Sequence, residues 1–230
     1  CRKADKVIFL TNEARLHAAK RIGHDSNLAT IYPGADAGQF QGKETENPTG
    51  SCVFAHFGSL GGTRNLEYFI KGLESVFDEF PEFVDLFRLE LYGNTKGKEE
   101  KHIDNSEFKN VVKLFGKVRR QDAINAMLRC NVLLLIQNTD GVSSETIPSK
   151  VYEYLHTGKP ILALVYRNPE LQAMLEGMGH IVVQADDVHA IKKGIMTYFL
   201  QWRENRLAHL TKECPYTVER AVDELLALAG

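Results

Sequence analysis

Short runs of apolar residues alternate along the chain with segments in which apolar residues recur at helical spacing. This alternation is typical of βαβ units that feed a mostly parallel sheet. The predicted strands are Lys6 to Thr11, Leu28 to Tyr32, Cys52 to Phe57, Arg88 to Gly93, Val111 to Phe115, Val132 to Gln137, Ile161 to Val165 and Ile181 to Gln184. The pattern therefore predicts an α/β fold with a parallel sheet and helices on both of its faces.

Local signals mark where the helices between these strands begin and end. Asn65 and Asp187 precede segments of helical period and are good N-cap residues. Gly158 can adopt the left-handed conformation that ends a helix, and Pro160 blocks continuation of that helix. The predicted helices are Asn65 to Glu79, Arg120 to Arg129, Ser149 to His156, Pro169 to Gly177, Val188 to Trp202 and Thr217 to Leu228.

A polar stretch, Gln41 to Ser51, contains Pro and Gly and separates two parts of the chain. A strand-helix-strand pattern leads into this stretch, so we expect residues 1–50 to be an interdomain segment and linker from a preceding domain. Residues 51–230, including the C-terminal helix, are expected to form one compact domain. The chain starts at Cys1 in a segment that resembles the middle of a longer protein, so we expect it to be a fragment.

Composition and charge argue against several classes of function. The formal charge of −2 arises from 28 basic and 30 acidic residues spread along the chain, so nucleic-acid binding is not predicted. No apolar run approaches the roughly 20 residues that span a bilayer. The cysteines are far apart and the histidines form no HxxxH or HxH pair, so no metal site is predicted. We expect a cytoplasmic protein with reduced thiols, and leave open peripheral contact with the inner face of the membrane.

The stretch from Asn138 to Leu164 carries the clearest chemistry, because a polar loop follows a buried strand and leads into a short helix. Ligands bind at the carboxyl ends of parallel strands, and a helix N-terminus favours anions. Ser149 and Lys150 would add a hydroxyl and an ammonium group there, and Glu153 lies on the same helical face as Lys150. This spacing suits a nucleotide, with its diphosphate on Lys150 and its ribose on Glu153. The alternative is a solvated Lys150–Glu153 pair on an ordinary crossover helix.

A second candidate is the loop from Gly58 to Arg64, with the sequence GSLGGTR, which also follows a predicted buried strand. Its glycines would allow a ligand to approach the backbone closely. The alternative explanation is a tight turn with an exposed Arg64.

A family resemblance bears on these alternatives. Seven residues separate Glu145 from Glu153, and the segment PSKVYEYLHTGKPILAL is similar to the signature of retaining glycosyltransferase family four. The order of that family is also followed by ADKVIFLTNEA, NLATIYPGADAGQF and FGSLGGTRNLEYFIKGL, so the resemblance covers nearly the whole chain. It implies the two-domain GT-B architecture, of which this chain would be the C-terminal, donor-binding half. Residues 51–230 would then form a Rossmann-like domain that binds a nucleotide sugar.

The resemblance also implies roles for residues at matching positions. Glu153 would bind the ribose hydroxyls of the donor, and Glu145 would be the catalytic residue beside the donor sugar. Ser59 stands where family members often carry a second arginine, so Arg64 and Lys150 alone would clamp the diphosphate. The implied donor-binding residues are Gly58, Arg64, Lys117, Val118, Ser149, Lys150 and Glu153, of which Lys117 and Val118 would contact the nucleobase.

The function implied by the resemblance is retaining transfer of a hexose from a nucleoside diphosphate sugar to an acceptor hydroxyl, without a metal or other cofactor. The acceptor would be a sugar, a lipid or a glycan bound through the missing N-terminal domain. We therefore expect this chain alone to bind the donor weakly and to transfer nothing. The alternatives are a nucleotide-sugar epimerase of the same architecture and a noncatalytic nucleotide-sugar-binding module, the latter suggested by Ser59.

Overall fold

Parallel strands form two separate sheets in the described part of the chain. The computed structural model describes residues 4–40, 50–95, 103, 109–210 and 213–229. The strands are β1 (Val7–Phe9), β2 (Leu28–Thr30), β3 (Cys52–Phe57), β4 (Phe87–Tyr92), β5 (Val112–Gly116), β6 (Val132–Ile136), β7 (Ile161–Val165) and β8 (Ile181–Gln184). β1 pairs with β2, and the other strands form a six-stranded sheet. Most of the predicted linker, residues 41–49, lies outside the described residues.

The six-stranded sheet has the strand order β5-β4-β3-β6-β7-β8, and all neighbouring strands are parallel. This is a doubly wound, Rossmann-like order, in which the chain builds one half of the sheet outward from β3 and the other half outward from β6. The carboxyl ends of β3 and β6 therefore flank a crevice, which is where such sheets bind ligands. The predicted α/β fold class is confirmed.

Helices cover both faces of this sheet. In the described residues they include α1 (Asn12–Ile22), α2 (Glu67–Glu79), α3 (Phe83–Leu86), α4 (Arg120–Arg129), α5 (Lys150–His156), α6 (Pro169–Gly177), α7 (Val188–Arg203) and α8 (Val218–Ala229). One face of the sheet shares an apolar core with α2, α3 and α7, and the opposite face shares a core with α4, α5 and α6. Because β3, β6 and β7 lie between these layers, all of their residues are buried.

The predicted element bounds agree closely with the structure. β3, β7, β8, α4 and α6 match to the residue, and the other predicted strands and helices differ by one or two residues at an end. β1 stops at Phe9, although the predicted strand continued to Thr11, because Thr11 caps the following helix. Its hydroxyl oxygen accepts a hydrogen bond from the N–H group of Ala14 at 3.3 Å.

Of the two predicted N-caps, one is confirmed and one is wrong. The Asp187 side chain caps α7 by accepting a hydrogen bond from the N–H group of Ala190 at 2.9 Å. α2 begins at Glu67, and Leu66, in a helical conformation, occupies its cap position in place of Asn65. The Asn65 side chain still accepts a hydrogen bond from the N–H group of Glu67 at 3.0 Å. It therefore satisfies one free donor of the first turn without being the cap residue.

Cys52 and Cys130 are buried as free thiols in the core, and Cys214 is a half-buried free thiol. Burial raises the pKa of Cys130 to about 12. Cys1 lies outside the described residues. In the described ranges no group of three or more His, Cys, Asp or Glu residues could hold a metal ion. None of the described helices combines the length and apolar character needed to cross a membrane.

Candidate functional site

Glycines mark the carboxyl ends of three neighbouring strands. Gly58 and Gly93 follow β3 and β4, and Gly116 is the last residue of β5. The N–H group of Gly58 donates to the carbonyl oxygen of Tyr92 at 2.8 Å, and that of Gly93 donates to Gly116 at 2.7 Å. A Cβ atom at position 93, where φ is +132°, would collide with the carbonyl group of Gly58. The ends of β3 and β4 therefore lie closer together than a side chain at position 93 would allow.

The loops that follow β3 and β6 are joined by hydrogen bonds across the crevice. The Thr63 hydroxyl donates to Asp140 Oδ2 at 3.0 Å, and the Thr63 carbonyl oxygen accepts from the N–H group of Thr139 at 3.2 Å. Asp140 also accepts from the N–H group of Val142 at 3.2 Å, the turn contact expected of an aspartate before a glycine. Hydrogen bonding, first of all from Thr63, lowers the pKa of Asp140. The two loops thus form one continuous rim.

Two buried amide side chains fix the 3-10 helix Ser143–Glu145 within the loop after β6. Gln137 Nε2 donates to the carbonyl oxygens of Ser143 and Thr146 at 2.6 and 2.9 Å. Asn168 Nδ2 donates to the same two oxygens at 2.8 and 2.9 Å. Both amide side chains belong to buried residues, so water competes little for these bonds. The backbone that carries the predicted catalytic residue is therefore well held.

Glu145 contacts the cap residue of α1 through its backbone and α1 itself through its side chain. The Thr11 hydroxyl donates to the Glu145 carbonyl oxygen at 2.7 Å, and His17 Nδ1 lies 2.7 Å from Glu145 Oε1. The Glu145 side chain is still 30% exposed. The predicted catalytic carboxylate thus lies where α1 meets the loop after β6, and solvent can reach it.

The Glu153 carboxylate lies between two cations. Lys150 Nζ lies 2.7 Å from Glu153 Oε2, and Arg120 Nη1 lies 3.3 Å from Glu153 Oε1. The Glu153 side chain is only 15% exposed, compared with 34% for Lys150. The contact expected from the spacing of Lys150 and Glu153 is present. It differs from a solvated pair because Glu153 is largely buried and has a second cation beside it.

α5, which carries Lys150 and Glu153, is fixed by packing rather than by a side-chain cap. It begins one residue later than predicted, and the Ser149 hydroxyl does not cap it. The buried Tyr154 hydroxyl accepts a hydrogen bond at 2.8 Å from the N–H group of Phe57, the last residue of β3. Gly158, with φ of +68°, lies just beyond the end of the helix as predicted. These contacts hold α5 beside the carboxyl end of β3.

Two buried nitrogen atoms near the end of β3 have no hydrogen-bond partner within the described part of the chain, Arg64 Nε and His56 Nε2. His56 Nδ1 lies 3.0 Å from the carbonyl oxygen of Leu134, so Nδ1 carries the proton and Nε2 presents a lone pair. Burial, together with the nearby charge of Arg64, lowers the pKa of His56 to about 4. Arg64 is half-buried rather than fully exposed.

Lys117 and Val118 follow β5 and are both exposed. Arg120 begins α4 two residues later, and its contact with Glu153 brings this turn beside α5. The turn that carries the predicted nucleobase contacts and the helix that carries the predicted ribose ligand are therefore neighbours.

Three residues that lie near the predicted site residues were not predicted from the sequence, namely His17, His56 and Arg120. His17 contacts the loop after β6 from α1, and nothing in the local sequence indicates that contact. His56 carried a signal, since it is the one basic residue in the strand CVFAHF. Arg120 also carried a signal in the sequence. A cation in the first turn of a helix is disfavoured by the helix dipole, so its presence there suggests a contact outside the helix.

Several solved glycosyltransferase structures are similar to this fold. A glycosyltransferase from Rickettsia africae matches with a TM-score of 0.77 and 12% identity, over 97% of this chain and 62% of that chain. HepE from Anabaena, in complex with UDP and glucose, matches with a TM-score of 0.75 and 16% identity, over 99% of this chain and 63% of that chain. The pneumococcal O-GlcNAc transferase GtfA, in complex with UDP and GlcNAc, matches with a TM-score of 0.67 and 15% identity, over 98% and 45%. The chain thus spans less than two thirds of each of these proteins.

At these identities the likeness is one of fold, and the matched part has the Rossmann-like architecture of the C-terminal domain of GT-B glycosyltransferases. No curated protein is significantly similar to the chain in sequence. The sequence profile described as Glycosyl transferases group 1 matches residues 39–213, a range that contains the whole six-stranded sheet and every predicted site residue. The chain therefore belongs to the group 1 glycosyl transferases.

Proposed function

We propose that this chain binds a nucleoside diphosphate sugar in the crevice at the carboxyl ends of β3 and β6. The observation that carries the proposal is the Lys150–Glu153 pair on α5, which is anchored at the end of β3. An ammonium group suits a phosphate, and a carboxylate suits the two hydroxyl groups of a ribose. Membership of the group 1 glycosyl transferases supports this ligand as a glycosyl donor.

The reaction that we propose is retaining transfer of a hexose to an acceptor hydroxyl. The bond between the anomeric carbon and the diphosphate oxygen breaks, the acceptor oxygen forms the new glycosidic bond, and the acceptor proton passes to the leaving diphosphate. Arg64 and Lys150 stabilise the negative charge that grows on the leaving diphosphate, so no metal ion is needed. Glu145 binds hydroxyl groups of the donor sugar and orients the anomeric carbon for attack on the face that the diphosphate leaves.

The remaining predicted residues complete the donor site in this proposal. Gly58 and Ser149 lie next to the diphosphate, while Lys117 and Val118 contact the nucleobase. HepE and GtfA were solved with UDP, so uracil is the first nucleobase to test.

We further propose that the acceptor, a sugar, lipid or glycan, binds to a domain that is not part of this chain. This chain spans only 63% of HepE, which supports such a division. In this proposal residues 1–50 join that domain to residues 51–230. We expect the 230-residue chain to bind the donor without transferring the sugar, and glycosyl transfer by the purified chain would contradict this division.

Isothermal titration with UDP, GDP and ADP, and then with UDP-glucose, tests the donor site. We expect one nucleoside diphosphate to bind, and expect Lys150→Met, Arg64→Gln and Glu153→Gln each to weaken that binding by about tenfold or more. Lys193 is an exposed lysine on α7, and Lys193→Met is therefore the control. This variant should bind the nucleotide as tightly as the unaltered chain does. A folded chain that binds none of these nucleotides would contradict the proposal and favour a noncatalytic interaction module.

A further inference from the structure

The two cations beside Glu153, Lys150 and Arg120, differ in how freely they can move when a diphosphate binds. Lys150 Nζ lies 2.7 Å from Glu153 Oε2, and a shift of this flexible side chain toward a phosphate lengthens that contact. Glu153 is only 15% exposed, and a largely buried carboxylate that loses its cation pays a substantial desolvation cost. A second cation that stays in place would therefore permit Lys150 to move.

Arg120 has the contacts of a cation that stays in place. Its Nε and Nη2 donate to Gln39 Oε1 at 3.1 and 2.8 Å, while its Nη1 donates to Glu153 Oε1 at 3.3 Å. Gln39 is held in turn, because its Nε2 donates to Asp36 Oδ2 at 2.9 Å. Three donors of one planar group engage two separate segments, and this arrangement restricts its rotation.

The local energetics of α4 do not account for Arg120. It is the first residue of that helix, where the positive end of the helix dipole disfavours a cation. Its neighbour Arg119 pairs instead with Asp122 at 2.8 Å, and its side chain is 88% exposed, compared with 57% for Arg120. The chain thus offers two adjacent arginines of which only Arg120 contacts Glu153.

The contact with Arg120 leaves Glu153 able to bind a ribose. A carboxylate has about four positions that accept hydrogen bonds. Arg120 and Lys150 occupy one position on each oxygen. The remaining positions can accept the two hydroxyl groups of a ribose while Arg120 stays in contact.

We propose that Arg120 is a positioning residue of the donor site, which orients the Glu153 carboxylate for the ribose hydroxyls and remains its cation when Lys150 turns to the diphosphate. This inference rests on the proposed function. It adds Arg120 to the donor site as a residue that acts on the ribose only through Glu153.

Isothermal titration of the 230-residue chain with UDP and with 2′,3′-dideoxy-UDP tests this role. We expect Arg120→Gln to weaken UDP binding by about tenfold. Binding of the dideoxy analogue, which has no ribose hydroxyl groups to offer Glu153, should change by no more than about twofold. Arg120→Lys should restore part of the affinity for UDP, and Arg119→Gln should leave both ligands unchanged. Thermal unfolding of each variant verifies that it is folded.

A double-mutant cycle separates positioning from a general structural effect. If Arg120 acts through Glu153, adding Arg120→Gln to Glu153→Gln should cause almost no further loss of UDP affinity. Equal losses for UDP and its dideoxy analogue, additive losses in the double variant, or no loss at all would each overturn the inference. Failure of the unaltered chain to bind any nucleoside diphosphate would instead overturn the proposed function, and this inference with it.

Discussion

Burial and protonation are closely linked at His56. The residue is 3% exposed, and its Nδ1 faces the carbonyl oxygen of Leu134 at 3.0 Å. The proton on Nδ1 leaves Nε2 as an acceptor, and a second proton there would place a charge in the core beside Arg64. The folded protein therefore holds His56 in its neutral form.

We expect the free energy of unfolding to fall as the pH is lowered from about 6.5 to about 4. The unfolded chain protonates His56 near its usual pKa of 6.5, whereas burial lowers the pKa in the folded protein to about 4, so the unfolded state binds more protons in this range. The stabilisation is fully present above pH 6.5, and about 3 kcal/mol is lost by about pH 4. Urea denaturation at a series of pH values measures this loss.

His56→Phe is the matched variant, since it retains a ring and removes the titrating group. Its unfolding free energy should depend less steeply on pH over the same range. Asp140, whose pKa is also lowered, contributes acid sensitivity to both proteins and cancels in the comparison. Parallel pH profiles for the two proteins would show that His56 is not the cause.

The residue contacts that the sequence predicts are the local ones. Lys150 and Glu153 are three residues apart on a helix, so their contact follows from helical geometry. Arg120 is 33 residues from Glu153, and His17 is 128 residues from Glu145. No periodicity relates residues that are brought together only by the fold, and these two contacts could not be predicted for that reason.

At the scale of elements, Asn168 joins a helix to the loop that carries Glu145. Its Oδ1 caps α6 by accepting a hydrogen bond from the N–H group of Leu171 at 2.9 Å. Its Nδ2 holds the carbonyl oxygens of Ser143 and Thr146 in the 3-10 turn. One buried side chain therefore both starts a helix and positions part of the site.

We expect Asn168→Ala to lower the free energy of unfolding by about 2–4 kcal/mol. Loss of a cap costs about 1 kcal/mol, and weakening the bonds to buried carbonyl groups adds to this loss. Asp187→Ala, which removes the exposed cap of α7, is the control and should cost only about 1 kcal/mol. Urea denaturation measures both values, and equal losses would argue against a role of Asn168 in holding the loop.

The bounds of β3 and β7 were predicted to the residue, whereas α3 and the start of α2 were not predicted correctly. β3 and β7 are short, mostly apolar runs with turn residues beyond them, so their bounds were visible in the sequence. α3 has only four residues, which is too short to display a helical period, and it was not predicted. The predicted start of α2 was too early. Asparagine is a favoured cap residue, but Asn65 lies one residue before the cap position, which Leu66 occupies.

At the scale of the molecule, the fold class could be predicted, whereas the strand order could not be obtained from the pattern. β3, β6 and β7 are buried on both faces, so their sequences do not indicate which strands lie beside them. The position of the crevice depends on that order, because it lies where β3 and β6 are adjacent. The family resemblance implied a Rossmann-like domain, and the strand order itself was seen only in the structure.

Glu170 on α6 links the β1–α1–β2 segment to the domain of the larger sheet. Glu170 Oε1 accepts hydrogen bonds from the N–H group of Asn12 at 2.7 Å and from the Tyr32 hydroxyl at 2.5 Å. Glu170 Oε2 accepts from the N–H group of Glu13 at 3.0 Å. A carboxylate from another element thus satisfies free donors at the start of α1, where the helix dipole also favours a negative charge.

Glu170→Ala should therefore loosen α1 without loosening the six-stranded sheet. Hydrogen exchange of the α1 amides should become about tenfold faster or more, the effect of losing hydrogen bonds to a charged group, while the amides of β6 and β7 should exchange as before. Glu176→Ala, which removes an exposed carboxylate from the same helix, is the control and should change neither. Faster exchange throughout the sheet would mean that Glu170 supports the whole fold, and unchanged exchange in α1 would mean that other contacts, such as that of Thr11 with Glu145, suffice to hold the segment.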